Sequence, residues 1–191
     1  MNNLLSSDQR DALQELMNIA MGQAANAMAQ LIEVRIILSI PKITAVTPEQ
    51  LSGVLAEPAV WLTRQSFSGA LRGEVLSLQV KAGVEAIAGY LDFGLPLTDK
   101  STEAAVLEVA NVLAAACLQG FTSQLELPTR LAAPELYRPK ASTVDAAWAI
   151  TLLMEVEFTL TDTPFDARVV ICLDPESVQH LISRLNTMLE D

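Results

Sequence analysis

At 191 residues, 51% of them hydrophobic but only 5% aromatic, the chain carries an aliphatic, alanine-rich core for one large domain or two small ones, and is not a disordered sequence. A formal net charge of -11 argues against nucleic acid or an anionic membrane surface as partner, since both call for clustered Lys and Arg. Two cysteines in apolar runs, Cys117 and Cys172, one histidine and no Cys-x-x-Cys read as buried free thiols in a reducing compartment, without a zinc site.

The first residues, MNNLLSSDQRD, lack a basic stretch followed by an apolar one, so no signal peptide is expected and the chain reads as cytoplasmic. Residues 6–32 predict a long helix, with Ser6 as N-cap and Gln9 completing a capping box. Val34 to Val46 is β-branched and strand-like, with Pro41 disrupting it. A short helix follows, Thr47 its cap and Pro48 its first residue. Two strands (VWLTRQSFSGAL and GEVLSLQV) flank a turn near Gly73, and Val84 to Phe93 predicts an amphipathic helix that ends at the Gly94 and Pro96 breakers. The order then begins again. A second long helix is expected from about Thr102 to Glu126 with Ser101 as its cap. Glu108, Asn111 and Gln119 interrupt its apolar run, so no membrane span is expected. A weak strand around Pro134, two strands (AWAITLLMEVEFTLT and FDARVVICL) and a closing helix capped by Asp174 complete the chain.

Within the first helix Asp11, Glu15, Asn18 and Gly22 step by four, three and four, which stacks them on one face. Leu13, Leu16, Met17, Ala20, Ala24, Ala27 and Leu31 form the apolar face. A Glu and an Asn three apart are ordinarily solvated surface. Their recurrence sets this pair apart: Glu15 and Glu108, Asn18 and Asn111, and Pro41 and Pro134 are each separated by 93 residues. Asn suits a helix interior poorly, because its side chain competes for backbone hydrogen bonds, so finding it twice at one offset calls for a reason. In the second helix the stripe reads Ala104, Glu108, Asn111, Ala115, over a buried face of Val106, Val109, Ala110, Leu113 and Cys117. Small residues beside the stripes (Gly22, Ala25, Ala115) suit close approach by another protein or helix-on-helix packing equally well. The expectation is an α/β (α+β) fold, internally duplicated. Two helix–strands–helix halves, about 1–97 and 98–191, make one domain around a shared central sheet, with the long motif helices on the surface.

The pattern Asp/Ser-x3-Glu-x2-Asn-x22-Pro resembles the signature of the CheC/CheX/FliY phosphatases of bacterial chemotaxis. Asp11, Glu15, Asn18 and Pro41 match in full. Glu108, Asn111 and Pro134 match at the same spacing, but Ala104 stands where the family has Asp or Ser. The tandem arrangement is closest to the two-motif CheC-like proteins. The resemblance implies hydrolysis of the acyl phosphate on the aspartate of a CheY-type response regulator. In that chemistry Asn18 and Asn111 orient the attacking water, and Glu15 and Glu108 dock a regulator lysine. Asp11 and Gly22 belong to the partner-binding face. The resemblance also implies that Mg2+ sits in the regulator and that this chain binds no cofactor or metal of its own. A CheD-like protein is a further partner it suggests. An amide holding both a donor and an acceptor suits the positioning of a water, and such positioning is much of phosphoryl-transfer catalysis. It needs no Ser-His-Asp set, and the chain offers none.

Other residues read as structural. His180 is expected as a partly exposed structural histidine, and Trp61 and Trp148 as core or sheet-face anchors. Asp162, Asp166 and Asp174 suit turns and a cap better than a metal site. Gly22, Gly69, Gly73 and Gly83 make no phosphate loop. The competing functional reading is a non-catalytic protein of the same fold that binds a regulator, a flagellar switch component or a CheD-like partner. Ala104, with Met17 and Met21 read as surrounding the motif, keeps that reading open.

Overall fold

The computed structural model describes residues 4–56, 60–94, 96–138, 151–161 and 165–190. The first helix, α1 (Ser7–Ile32), starts where expected: the Ser6 hydroxyl accepts from the Gln9 amide and the Gln9 side chain accepts from the Ser6 N–H. These reciprocal bonds satisfy two of the donors that a helix start leaves open. The helix ends at Glu33, which takes a left-handed conformation. Two short strands follow, β1 (Ile36–Leu38) and β2 (Lys42–Val46), then helix α2 (Pro48–Leu55) with Thr47 as its cap. Strands β3 (Val60–Gly69) and β4 (Gly73–Val80) lead into α3 (Val84–Tyr90), shorter than its amphipathic pattern predicts.

The second helix, α4, spans Asp99–Gln124 and its cap is Thr98, not Ser101. Ser101 is instead the third helical residue. Its hydroxyl accepts from the Thr98 N–H, and the Thr98 hydroxyl accepts from the Ser101 N–H. Both residue types can cap, and Asp99, Lys100 and Ser101 begin the helix three residues before the expected Thr102. Strands β5 (Thr129–Leu131), β6 (Glu135–Leu136), β7 (Thr151–Leu160) and β8 (Asp166–Leu173) then lead to the closing helix α5 (Pro175–Glu190). The Asp174 carboxylate caps α5 by accepting from the Ser177 N–H at 2.7 Å. Trp148, Asp162 and the beginning of the predicted strand AWAITLLMEVEFTLT lie outside the described residues.

The eight strands form one antiparallel sheet in the order β1-β7-β8-β4-β3-β5, with β2 beside β7 and β6 beside β3. Strands β1 and β2 therefore make one broken edge, and β5 and β6 the other. The breaks fall at Pro41 and Pro134, where the chain has no N–H to offer a neighbour. Each half's edge lies on the other half's long strand: β1 and β2 run along β7, and β5 and β6 along β3. At the centre β4 pairs with β8. The duplicated fold, two helix–strands–helix halves around one sheet, is thus present with its edge strands exchanged.

Alternation assigns the two faces of the sheet. Phe67, Val75, Met154, Phe158, Val169 and Ile171 join the core under α1, α4 and α5. Leu62, Leu76, Leu78, Leu153, Val170 and Cys172 face the other way and are covered by Leu51 and Leu55 of α2. Helices α1 and α4 pack against each other, antiparallel. The Leu16 carbonyl accepts from Gln124 Nε2, and Ala20 lies against Gly120, where an added Cβ would come within 3.0 Å of the Ala20 backbone. Helix α4 is long and apolar enough to cross a bilayer by length and composition alone, but over half of its most apolar window is buried inside this fold.

Candidate functional site

Each motif sits mid-helix on the outer side of a packed pair. Asp11, Glu15, Asn18 and Gly22 are all exposed, as are Ala104, Glu108, Asn111 and Ala115. Beneath them Leu13, Leu16, Met17, Ala20 and Ala24 on α1, and Val106, Val109, Ala110, Leu113 and Cys117 on α4, are buried. Met17 and Met21 do not surround the motif. They are 0% and 1% exposed and belong to the core, where an unbranched thioether fills irregular space. Apart from its own turn of helix, nothing among the described residues lies within 4 Å of where a Cβ at Gly22 would stand, so no packing seen there calls for glycine.

The antiparallel helix pair keeps the motifs apart. The Leu16–Gln124 and Ala20–Gly120 contacts set Asn18 level with Thr122, eleven residues along α4 from Asn111. At 1.5 Å per residue the two asparagines stand about 16 Å apart along the pair. The structure therefore holds the two motifs apart as separate candidate sites rather than one composite one.

The proline breaks lie at matching places. Ser39 N–H donates to the Glu157 carbonyl before Pro41, and Ala132 N–H donates to the Ser66 carbonyl before Pro134. Turning the edge strand here frees carbonyls from the ladder. The Ala132 carbonyl is used: it accepts from Gln65 Nε2 at 3.1 Å, and the same nitrogen donates to Asn111 Oδ1 at 3.1 Å. Gln65 is 2% exposed on β3, under α4. A side chain of the first half thus holds the asparagine of the second. Asn18 has no side-chain hydrogen bond among the described residues. The sequence reading missed Gln65, because forty-six residues separate it from Asn111 and nothing local marks a strand glutamine as facing that helix.

The surroundings differ in apolar character too. Ile19 and Ile40, next to Asn18 and Pro41 in the chain, are 44% and 71% exposed. Their counterparts 93 residues on are Val112 and Ala133, both smaller.

The remaining candidates have structural places. His180 is exposed and its Nδ1 donates to the Ala70 carbonyl at 2.9 Å. Trp61 is half-buried, with Lys81 Nζ 5.7 Å from its ring. Both cysteines are buried and free. Burial pushes the Cys117 thiol up, and burial together with the charge of Glu74 pushes Cys172 up to about 12. Among the described residues, no group of three or more His, Cys, Asp or Glu is placed to hold a metal.

The CheC-like family matches residues 9–44, the stretch holding the first motif and its proline. No curated protein matches the sequence at a significant level. Among solved structures the fold is similar to FliY from Thermotoga maritima, at 15% identity and a TM-score of 0.75 over 96% of this chain and 98% of that one. It is also similar to the FliM middle domain from H. pylori, at 12% identity and a TM-score of 0.67 over 94% and 99%. A third is the CheX-CheY-BeF3-Mg+2 complex from Borrelia burgdorferi, at 17% identity and a TM-score of 0.55 over 84% and 96%. At these identities the structural likeness speaks for the fold.

Proposed function

We propose, from the premise that this chain belongs to the CheC-like family, that it is a cytoplasmic phosphatase acting on the phospho-aspartate of a CheY-type response regulator. The observation that carries the reading is the exposure of a Glu and an Asn, one turn apart, at the same place on two helices. The CheX solved with CheY, BeF3 and Mg+2 supports a receiver as the partner of this fold. In this proposal the regulator contributes the phosphoryl group and Mg2+. Asn18 or Asn111 enters the receiver's site, and its amide holds the attacking water in line with phosphorus by a hydrogen bond. Because the chemistry is positioning, neither a nucleophile nor a strong base is asked of this chain. Glu15 and Glu108 bind a cationic side chain of the regulator and set the register of docking. Asp11 and the bare surface at Gly22 extend the contact, with Ile19 and Ile40 as apolar neighbours of the first motif.

The test is release of phosphate from a Mg2+-loaded, phosphorylated receiver. Wild-type protein accelerates it, and the folded double variant Asn18→Ala, Asn111→Ala does not. Binding without acceleration by the wild type sinks the enzymatic reading and leaves an interaction protein, as the likeness to a FliM middle domain would suit. Acceleration that survives both substitutions places the chemistry elsewhere. The same titration with a CheD-like protein asks whether that partner binds.

A further inference from the structure

We infer that Gln65 is a positioning residue that makes the two motifs chemically unlike, by holding the Asn111 carboxamide with its oxygen turned inward. This rests on the reading just given for what the asparagines do. The orientation follows from hydrogen-bond chemistry. A backbone carbonyl only accepts, so the end of the Gln65 amide that faces the Ala132 carbonyl is the NH2. That same nitrogen lies 3.1 Å from Asn111, so the Asn111 atom facing it is the oxygen. Both hydrogens of Gln65 Nε2 are thereby used. The planar carboxamide of Asn111 then offers its NH2 outward, and Nδ2 has no partner among the described residues.

Among the described residues, no side chain donates comparably to Asn18. In the sheet Gln65 pairs with Val75, and in the second half Val156 holds the matching place, paired with Val169. A valine has no hydrogen to donate. With no side-chain hydrogen bond among the described residues, Asn18 can present either end of its amide. The first motif can therefore turn an acceptor toward a water, while the second presents a donor, which engages the water's lone pair or a phosphoryl oxygen instead. Asn18 carries most of the turnover, and Gln65 restrains Asn111.

Two measurements test this. In wild-type protein, NMR hydrogen exchange reads the Gln65 side-chain NH2: both protons are protected from solvent, and Asn111→Ala lowers the protection of one. Unprotected Gln65 protons overturn the clamp without any reference to activity. In the Asn18→Ala background, where only the second motif remains, Gln65→Met frees the Asn111 amide to turn. Phosphate release should rise about fivefold, the ratio sustained by one ordinary hydrogen bond of about 1 kcal/mol. In the Asn111→Ala background the same change should leave turnover unaltered. A fall or no change in the first background, or an equal rise in both, overturns the assignment. If no variant, wild type included, releases phosphate, the enzymatic reading fails, and the exchange measurement alone decides whether Gln65 holds Asn111.

Discussion

A carboxamide is a two-ended group, and what it does depends on which end meets the partner. Asn18 and Asn111 share a helix position, yet among the described residues only Asn111 is held by another side chain, the buried amide of Gln65. Gly22, one turn beyond Asn18, is exposed and belongs to the proposed docking face. A glycine in an exposed helix interior costs about 0.5–1 kcal/mol relative to alanine, and open space surrounds it here. Gly22→Ala is expected to raise stability by about that amount in denaturant unfolding, while weakening binding to a phosphorylated receiver in a titration. Improved stability with unchanged binding would remove Gly22 from the docking face. At this scale the outward stripes were legible, because helical period alone separates Asp11, Glu15 and Asn18 from Leu13, Leu16 and Met17. Met21 was misplaced, since a methionine beside a polar stripe does not reveal how far round the helix the buried face extends. Gln65 was not legible at all, because its significance is a contact made across the sheet and helix.

Among the elements, the helix crossing and the strand breaks position the motifs. Gly120 meets the α1 backbone at Ala20, so the two long helices approach as closely as their backbones permit. Gly120→Val places branched carbon where 3.0 Å separates a Cβ from the Ala20 backbone, and is expected to cost about 1–3 kcal/mol, read from the denaturation midpoint. A neutral result would mean that the crossing is looser than the structure has it. Thr98→Ala should cost about 1 kcal/mol by removing a cap, whereas the sequence alone would have put that loss at Ser101. The strands on either side of Pro41 and Pro134 were legible as interrupted, because proline lacks the ladder's donor. Which strand each would join was not, since alternation tells a strand its faces and never its neighbour.

For the whole molecule, the exchange of edge strands joins the halves more firmly than a surface contact would. Residues 1–97 alone would lose β5 and β6 from β3, and would leave β1 and β2 without β7. With β4 also stripped of β8, several unpaired edges favour association, so this fragment is expected to be aggregated or dimeric in size-exclusion chromatography, and a stable monomer would contradict the interdependence of the halves. The thiols offer a check on the intact protein. With Cys172 pushed up to about 12 and Cys117 also raised by burial, both stay protonated at pH 8 and should resist a thiol reagent until the protein unfolds. Reaction of either in the native state would show that the core opens. The repeated element order was readable because offsets of 93 residues recur in the sequence. The exchanged pairing had no such trace.

The contact between Gln65 and Asn111 runs from one half of the chain to the other. A protein assembled from two copies of one polypeptide receives every substitution twice, so a glutamine gained beneath one asparagine is gained beneath both. Tandem fusion removes that constraint. Here a single codon in the first half sets the behaviour of a residue in the second, while the first half's own asparagine stays beyond its reach. A lineage built this way can retire, retune or restore one site by changes in the opposite repeat, leaving both motif helices untouched.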